Sequence, residues 1–175
     1  MTMKTLQDLF IHNLSDLYNA EKQLAKALPK LAKSASHDEL TELFQSQLEE
    51  TQNSIEQLDR VVEQSGVKLK RIKCAAIEGL LEEAKEVLDD GGEGPVRDAA
   101  LVAAVQKIVH YEIAAMGTLS AFATHLGFSE GATTLREALD DKKARDENFT
   151  SFAEESINPE ALHAQNARSR EAQTH

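Results

Sequence analysis

The chain has one cysteine, Cys74, and no tryptophan. A lone cysteine excludes an intramolecular disulfide framework and fits a reducing compartment. Aromatic residues make up only 5% of the sequence, while Ala, Leu, Glu, Lys and Gln abound, a composition that favours helix throughout. No run approaches the ~20 apolar residues of a membrane span. The opening MTMKTLQDLF lacks the basic-then-apolar pattern of a signal peptide, so a soluble, cytoplasmic protein is expected. A net charge of −11 over 175 residues disfavours nonspecific binding to nucleic acid or to an anionic membrane. The one basic cluster, Lys68, Lys70, Arg71 and Lys73, is short and reads as a solvated linker face. Neither nucleic acid nor membrane is therefore expected as a partner. Glycine-rich residues 91–94 match no phosphate-binding motif and make a loop.

What is present is helical periodicity. Thr5 with Asp8 three residues later fits a capping box, opening an amphipathic helix over about 6–33. Ser36-His37-Asp38-Glu39 reads as a second capping box, for a helix over 37–65 that stops at Gly66, a natural left-handed C′ residue. Residues 67–95 change character: VKLKRIK is basic and alternating, and Cys74 to about Asp90 reads as a shorter helix. Pro95 suits the first position of a third long helix over 96–126. A fourth runs over 129–156, until Asn158-Pro159. The polar tail, 159–175, has weak periodicity and is expected to be frayed or disordered. Short loops within each pair make antiparallel neighbours, and the 67–95 connection is long enough to cross the bundle. The prediction is all-α: a ferritin-like four-helix bundle over residues 1–158, with one long crossover carrying a short helix.

Glu21 and Glu112 each centre the apolar stripe of their helix. At ~100° per residue, Phe10, Leu14, Leu17, Leu24, Ala25, Leu28 and Ala32 flank Glu21. Leu101, Val105, Ile108, Ala115, Met116, Leu119 and Ala123 flank Glu112 in matching places. An unpaired carboxylate there faces a desolvation cost of several kcal/mol, so a metal ion, a basic side chain or a proton must compensate it. In ferritin-like carboxylate proteins two helices each give one Glu, and the other two each give a Glu with a second ligand one turn on. The second helix, striped by Leu40, Leu43, Phe44, Leu48, Thr51, Ile55, Leu58 and Val62, offers Glu50 from its flank, with Ser54 one turn later. Glu49 points to solvent. The fourth, striped by Leu135, Ala138, Leu139, Phe149 and Ala153, has Lys142 at its centre and Asp146 about 40° away. No Glu-x-x-His occurs in the chain. His110 and His125 point outward. Tyr18, about 60° from Glu21, is the better-placed of Tyr18 and Tyr111 to support it by a hydrogen bond, and Cys74 reads as packing for the crossover.

The segments MKTLQDLFIHNLSDLYNAEKQLAKALPKLA, LEET, KRIKCAAIEGLLEEA, VRDAALVAAVQKIVHYEIAAMGTL and LDDKKARD resemble the bacterial YciF-type ferritin-like family, associated with stress responses. The resemblance covers roughly residues 3–157. It implies a ferritin-like bundle, a homodimer, and a metal-binding or ferroxidase-like role. It points to Glu21 in AEKQL, Glu50 in LEET, Glu112 in HYEIA and Asp146 as carboxylate ligands. Two positions depart from the family pattern. A Glu of the fourth-helix EEK is here Lys142, and a Gln or His after LEET is here Ser54.

Two readings of function follow. In the first, Glu21, Glu50, Glu112 and Asp146 bind iron or manganese, since hard carboxylate oxygens suit such ions, and the protein handles oxygen or peroxide. In the second there is no metal: Lys142 neutralises the core carboxylates, and the protein acts through its surface as a dimer or a partner. A ferritin-type storage cage is not expected, because no extra packing helix is evident.

Overall fold

The computed structural model describes residues 3–90 and 92–173. Among the described residues six α-helices follow in order: α1 Leu6–Ser34, α2 Asp38–Ser65, α3 Ala75–Asp89, α4 Pro95–His125, α5 Ser129–Phe152 and α6 Asn158–Gln173. A single π-helical turn, Ala153–Ile157, joins α5 to α6. Among the described residues there is no strand. The helices α1, α2, α4 and α5 form the four-helix bundle, and 67–94 is the crossover.

The local signals largely explain the boundaries. Thr5 Oγ1 accepts from the Asp8 N–H at 3.0 Å, and the Asp8 carboxylate accepts from the Thr5 N–H at 3.2 Å. The α2 cap differs from expectation. His37, not Ser36, is the N-cap, its Nδ1 accepting from the Glu39 N–H. Ser36 is drawn away because its N–H donates to Asp98 and its hydroxyl accepts from the Gly94 N–H. Gly66 closes α2 at φ 63°, a conformation that costs a residue with a Cβ. Pro95 opens α4 at its first turn.

The core has two apolar halves. Leu24, Leu28, Leu40, Phe44, Ile108 and Phe149 lie in one, with Ile77 of α3 covering it. Phe10, Leu14, Leu17, Leu58, Met116, Leu119 and Leu135 lie in the other. Along each helix, the switch between halves falls at a polar position: Glu21, Thr51, Glu112 or Lys142. A layer of buried polar side chains therefore divides the bundle. α4 is long and apolar enough to cross a membrane by length and composition, but Leu101, Val105, Ile108, Met116, Leu119 and Ala123 are buried in the core.

Three expectations need correction. The buried face of α2 runs through Leu40, Phe44, Gln47, Thr51, Ser54, Leu58 and Val61, leaving Leu43, Leu48, Ile55 and Val62 half-buried. A stripe located from apolar residues alone leaves out Gln47 and Ser54, which the fold nevertheless turns inward. On α5 the inward face passes through Lys142 and Arg145, so Asp146 is only half-buried. The helix also comes close to α2 at Gly131, where a Cβ would lie 3.1 Å from Ser65 Oγ. Finally, the chain after Pro159, expected to be frayed or disordered, is helical as α6 to Gln173. The π turn carries the chain on without a break, and α6 packs beside α4; its weak periodicity reflects one-sided contact with most residues exposed.

Candidate functional site

The midpoints of α1, α4 and α5 bring Glu21, Glu112 and Lys142 together, each 1% exposed. Lys142 Nζ donates to Glu112 Oε1 at 2.5 Å and lies 3.4 Å from Glu21 Oε1. Thr51, fully buried on α2, has its hydroxyl committed to the Gln47 carbonyl at 2.8 Å. Both Glu21 carboxyl oxygens and Glu112 Oε2 have no hydrogen-bond partner among the described residues.

The electrostatics follow from this packing. Burial, reinforced by the nearby Glu112 carboxylate, raises the Glu21 carboxyl well above its ordinary value of 4.5, and Lys142 only partly opposes it. Burial pushes the Lys142 ammonium down, but Glu112 and Glu21 more than reverse this, leaving it raised above 10.5. Burial thus pushes Glu21 toward its protonated form, and the Lys142 ammonium lies against both acids. Both effects act against the large penalty of an uncompensated interior charge.

A consequence is measurable. A group whose folded pKa is raised stabilises the fold fully below its unfolded pKa, and that contribution is lost as pH rises through the folded value. For Glu21 the loss begins upward of about pH 4.5. Denaturant midpoints of wild type and Glu21→Gln, compared from pH 5 to 8, should shift steadily in favour of Glu21→Gln as pH rises. A pH-independent difference would show that Glu21 keeps no proton in the fold.

The other expected ligands lie elsewhere. Glu50 binds Arg145, whose Nε donates to Glu50 Oε2 at 2.8 Å and whose Nη2 pairs with Glu50 Oε1 and donates to Ser46 at 2.9 Å. Asp146 turns to the α4–α5 flank, accepting from Gln106 Nε2 at 3.3 Å and lying 3.1 Å from His110 Nε2. Ser54 is buried and lines a cleft of about 330 Å³ between α2 and α5, together with Lys142 and Arg145. Tyr18 does not support Glu21; its ring lies under Lys22, 4.4 Å from the ammonium. His110 and His125 are exposed, as expected.

Sequence reasoning missed Arg145, although a basic residue one turn after Lys142 and level with Glu50 is a usable signal. It also missed Asp16, which accepts from Tyr111 Oη at 2.8 Å and from Cys74 Sγ at 3.1 Å. Cys74 caps α3, and burial pushes its thiol up, which keeps it protonated and unreactive. Burial likewise raises the Tyr111 hydroxyl. This triad ties α1, α3 and α4 together.

A dinuclear carboxylate centre needs its acids to converge with open positions between them. Here two acids converge, and an ammonium occupies the space between them. Among the described residues no three His, Cys, Asp or Glu side chains are grouped as metal ligands. The residues do not fit a dinuclear metal.

Comparison with known proteins places this arrangement in context. A family model described as "Domain of unknown function (DUF892)" matches residues 5–162. Protein YciF of Escherichia coli (strain K12) is 51% identical over 162 residues, covering 92% of this chain and 98% of that protein. The crystal structure of the E. coli stress protein YciF superposes with a TM-score of 0.86, over 89% of this chain and 99% of that one. YcfI from Rhodopseudomonas palustris gives a TM-score of 0.80 at 41% identity, over 84% of this chain and 94% of that one.

Proposed function

From the premise that this chain belongs to the DUF892 family and resembles the E. coli stress protein YciF over nearly its whole length, we propose that it is a stress-associated ferritin-like scaffold. In this reading the lysine-neutralised core serves stability, and the protein acts through its surface, in the cytoplasm, as a homodimer or with a partner. The observation that carries it is the Lys142 ammonium, fully buried and 2.5 Å from Glu112. A fixed cation on that carboxylate satisfies its charge and repels a second cation. The salt bridge from Arg145 does the same for Glu50.

The test is metal content. Wild type purified from iron- or manganese-rich medium should carry far less than one ion per chain. Lys142→Glu should gain affinity for manganese, because it removes the resident cation and adds a hard oxygen donor to Glu21 and Glu112. Near two ions per wild-type chain would overturn the proposal, and iron or manganese chemistry on oxygen or peroxide would then be the better reading. Light scattering at micromolar concentration tests the dimer separately.

A further inference from the structure

The crossover between α2 and α3 carries four basic residues within six positions, Lys68, Lys70, Arg71 and Lys73, on a chain of net charge −11. Residues 67–73 run along α1 without helix or strand, and the register is set by two hydrogen bonds. The Lys70 N–H donates to Ser15 Oγ and the Cys74 N–H to Asn19 Oδ1, each at 2.9 Å. Ser15 and Asn19 are one helical turn apart, about 6 Å along the axis, and the chain from Lys70 to Cys74 is drawn in to that spacing by a turn in which the Ile72 N–H donates to the Lys70 carbonyl at 3.1 Å. Val67 is buried, while Leu69 and Ile72 are half-buried. Lys68, Arg71 and Lys73 are exposed, and Lys70 is half-buried.

Between this segment and α1 lies a cleft of about 520 Å³, within the usual range for small-molecule sites. Its lining includes Lys22, Lys70, Arg71 and Lys73, with Ser15 and Tyr18, and no acidic side chain. The carboxylates nearby are accounted for. Glu78 pairs with Lys73, Asp16 accepts from Cys74 and Tyr111, and Asp8 is committed to the α1 cap, where it feels Lys70 only weakly. Lys70 and Arg71 make no ion pair within 4 Å among the described residues. Lys22 stands over the Tyr18 ring at the same wall.

We propose that this cleft binds a phosphorylated small molecule through its phosphate groups, with Lys22, Lys70 and Arg71 as the recognition set. Arg71 supplies the planar fork that matches phosphate oxygens, and the two lysines supply point charges. The cleft's limited size favours a compact anion with two or three charges over a long polyanion. The site is independent of the buried Lys142 layer.

The probe is inorganic pyrophosphate, titrated calorimetrically into the full chain at low ionic strength. Saturable one-to-one binding is expected, weakening as salt is raised. Lys70→Gln/Arg71→Gln should bind at least about tenfold more weakly, with an unchanged helical circular-dichroism spectrum. Lys85→Gln/Lys107→Gln removes two exposed lysines elsewhere, on α3 and α4, and should bind as wild type does. Absence of saturation with wild type, or equal loss in both double variants, overturns the proposal. Tighter binding of a long single-stranded oligonucleotide than of pyrophosphate also overturns it, because the surface would then be reading polyanion charge alone.

Discussion

Lys142→Met should destabilise the protein by about 3–5 kcal/mol, because it strands two buried carboxyl groups without their cation. For a domain of this size that corresponds to a fall in Tm of roughly 6–20 °C. Methionine is chosen so that the volume is nearly kept and the loss reports charge, not a cavity. The measurement is urea unfolding of wild type, Lys142→Met, Glu21→Gln/Glu112→Gln and the triple variant. If the ion cluster carries the effect, the triple variant recovers most of the loss, because a neutral layer has no charge to strand. A full-size loss in the triple variant would assign the effect to packing. A loss below about 1 kcal/mol in Lys142→Met, the range of an exposed ion pair, would show that the ammonium is not buried with the acids.

The result bears on how the polar layer was reached from sequence. Glu21, Glu112 and Lys142 were legible because each interrupts an apolar stripe at its centre, and a helix places such a residue inside whatever its charge. The pairing of Glu112 with Lys142 then follows from two helices joined by a short loop. Glu50 and Asp146 were misjudged for a different reason. Both lie at the edge of a stripe, where a rotation of a few tens of degrees decides between interior and flank. On α2 the polar residues Gln47 and Ser54 turn inward, and on α5 Arg145 does. Periodicity counted from apolar residues cannot register those rotations, because it treats buried polar groups as evidence of solvent. The helical state of α6 was hidden for a related reason. A helix touching the bundle along one narrow side needs little apolar periodicity.

The second large effect concerns Asp98, which nothing in the local sequence singles out. It sits in the first turn of α4 at 1% exposure and holds the α1–α2 loop. Its Oδ1 accepts from the Ser36 N–H at 2.8 Å and its Oδ2 from the His37 N–H at 3.0 Å. Arg97 grips the other side, donating to the Ser34 carbonyl at 2.6 Å. These partners are 61 to 63 residues away in sequence, so they become visible only when the two helix pairs are assembled. A carboxylate there also lies at the favourable end of the α4 dipole. Asp98→Ala removes two charge-assisted hydrogen bonds and leaves two backbone N–H groups without acceptors, and should cost about 3 kcal/mol. Asp98→Asn should fall between, because its amide keeps one acceptor oxygen but turns an NH2 toward the second donor. Urea midpoints give the sizes, and amide hydrogen exchange gives the place. In Asp98→Ala, protection should fall first at Ser36 and His37. Uniform loss of protection along α1 and α2 with those two amides unchanged would refute the clamp. If the clamp holds, the acid that joins the two halves of the bundle is a capping residue borrowed across the fold, and the bundle's two helix pairs are stapled at this end by hydrogen bonds to backbone.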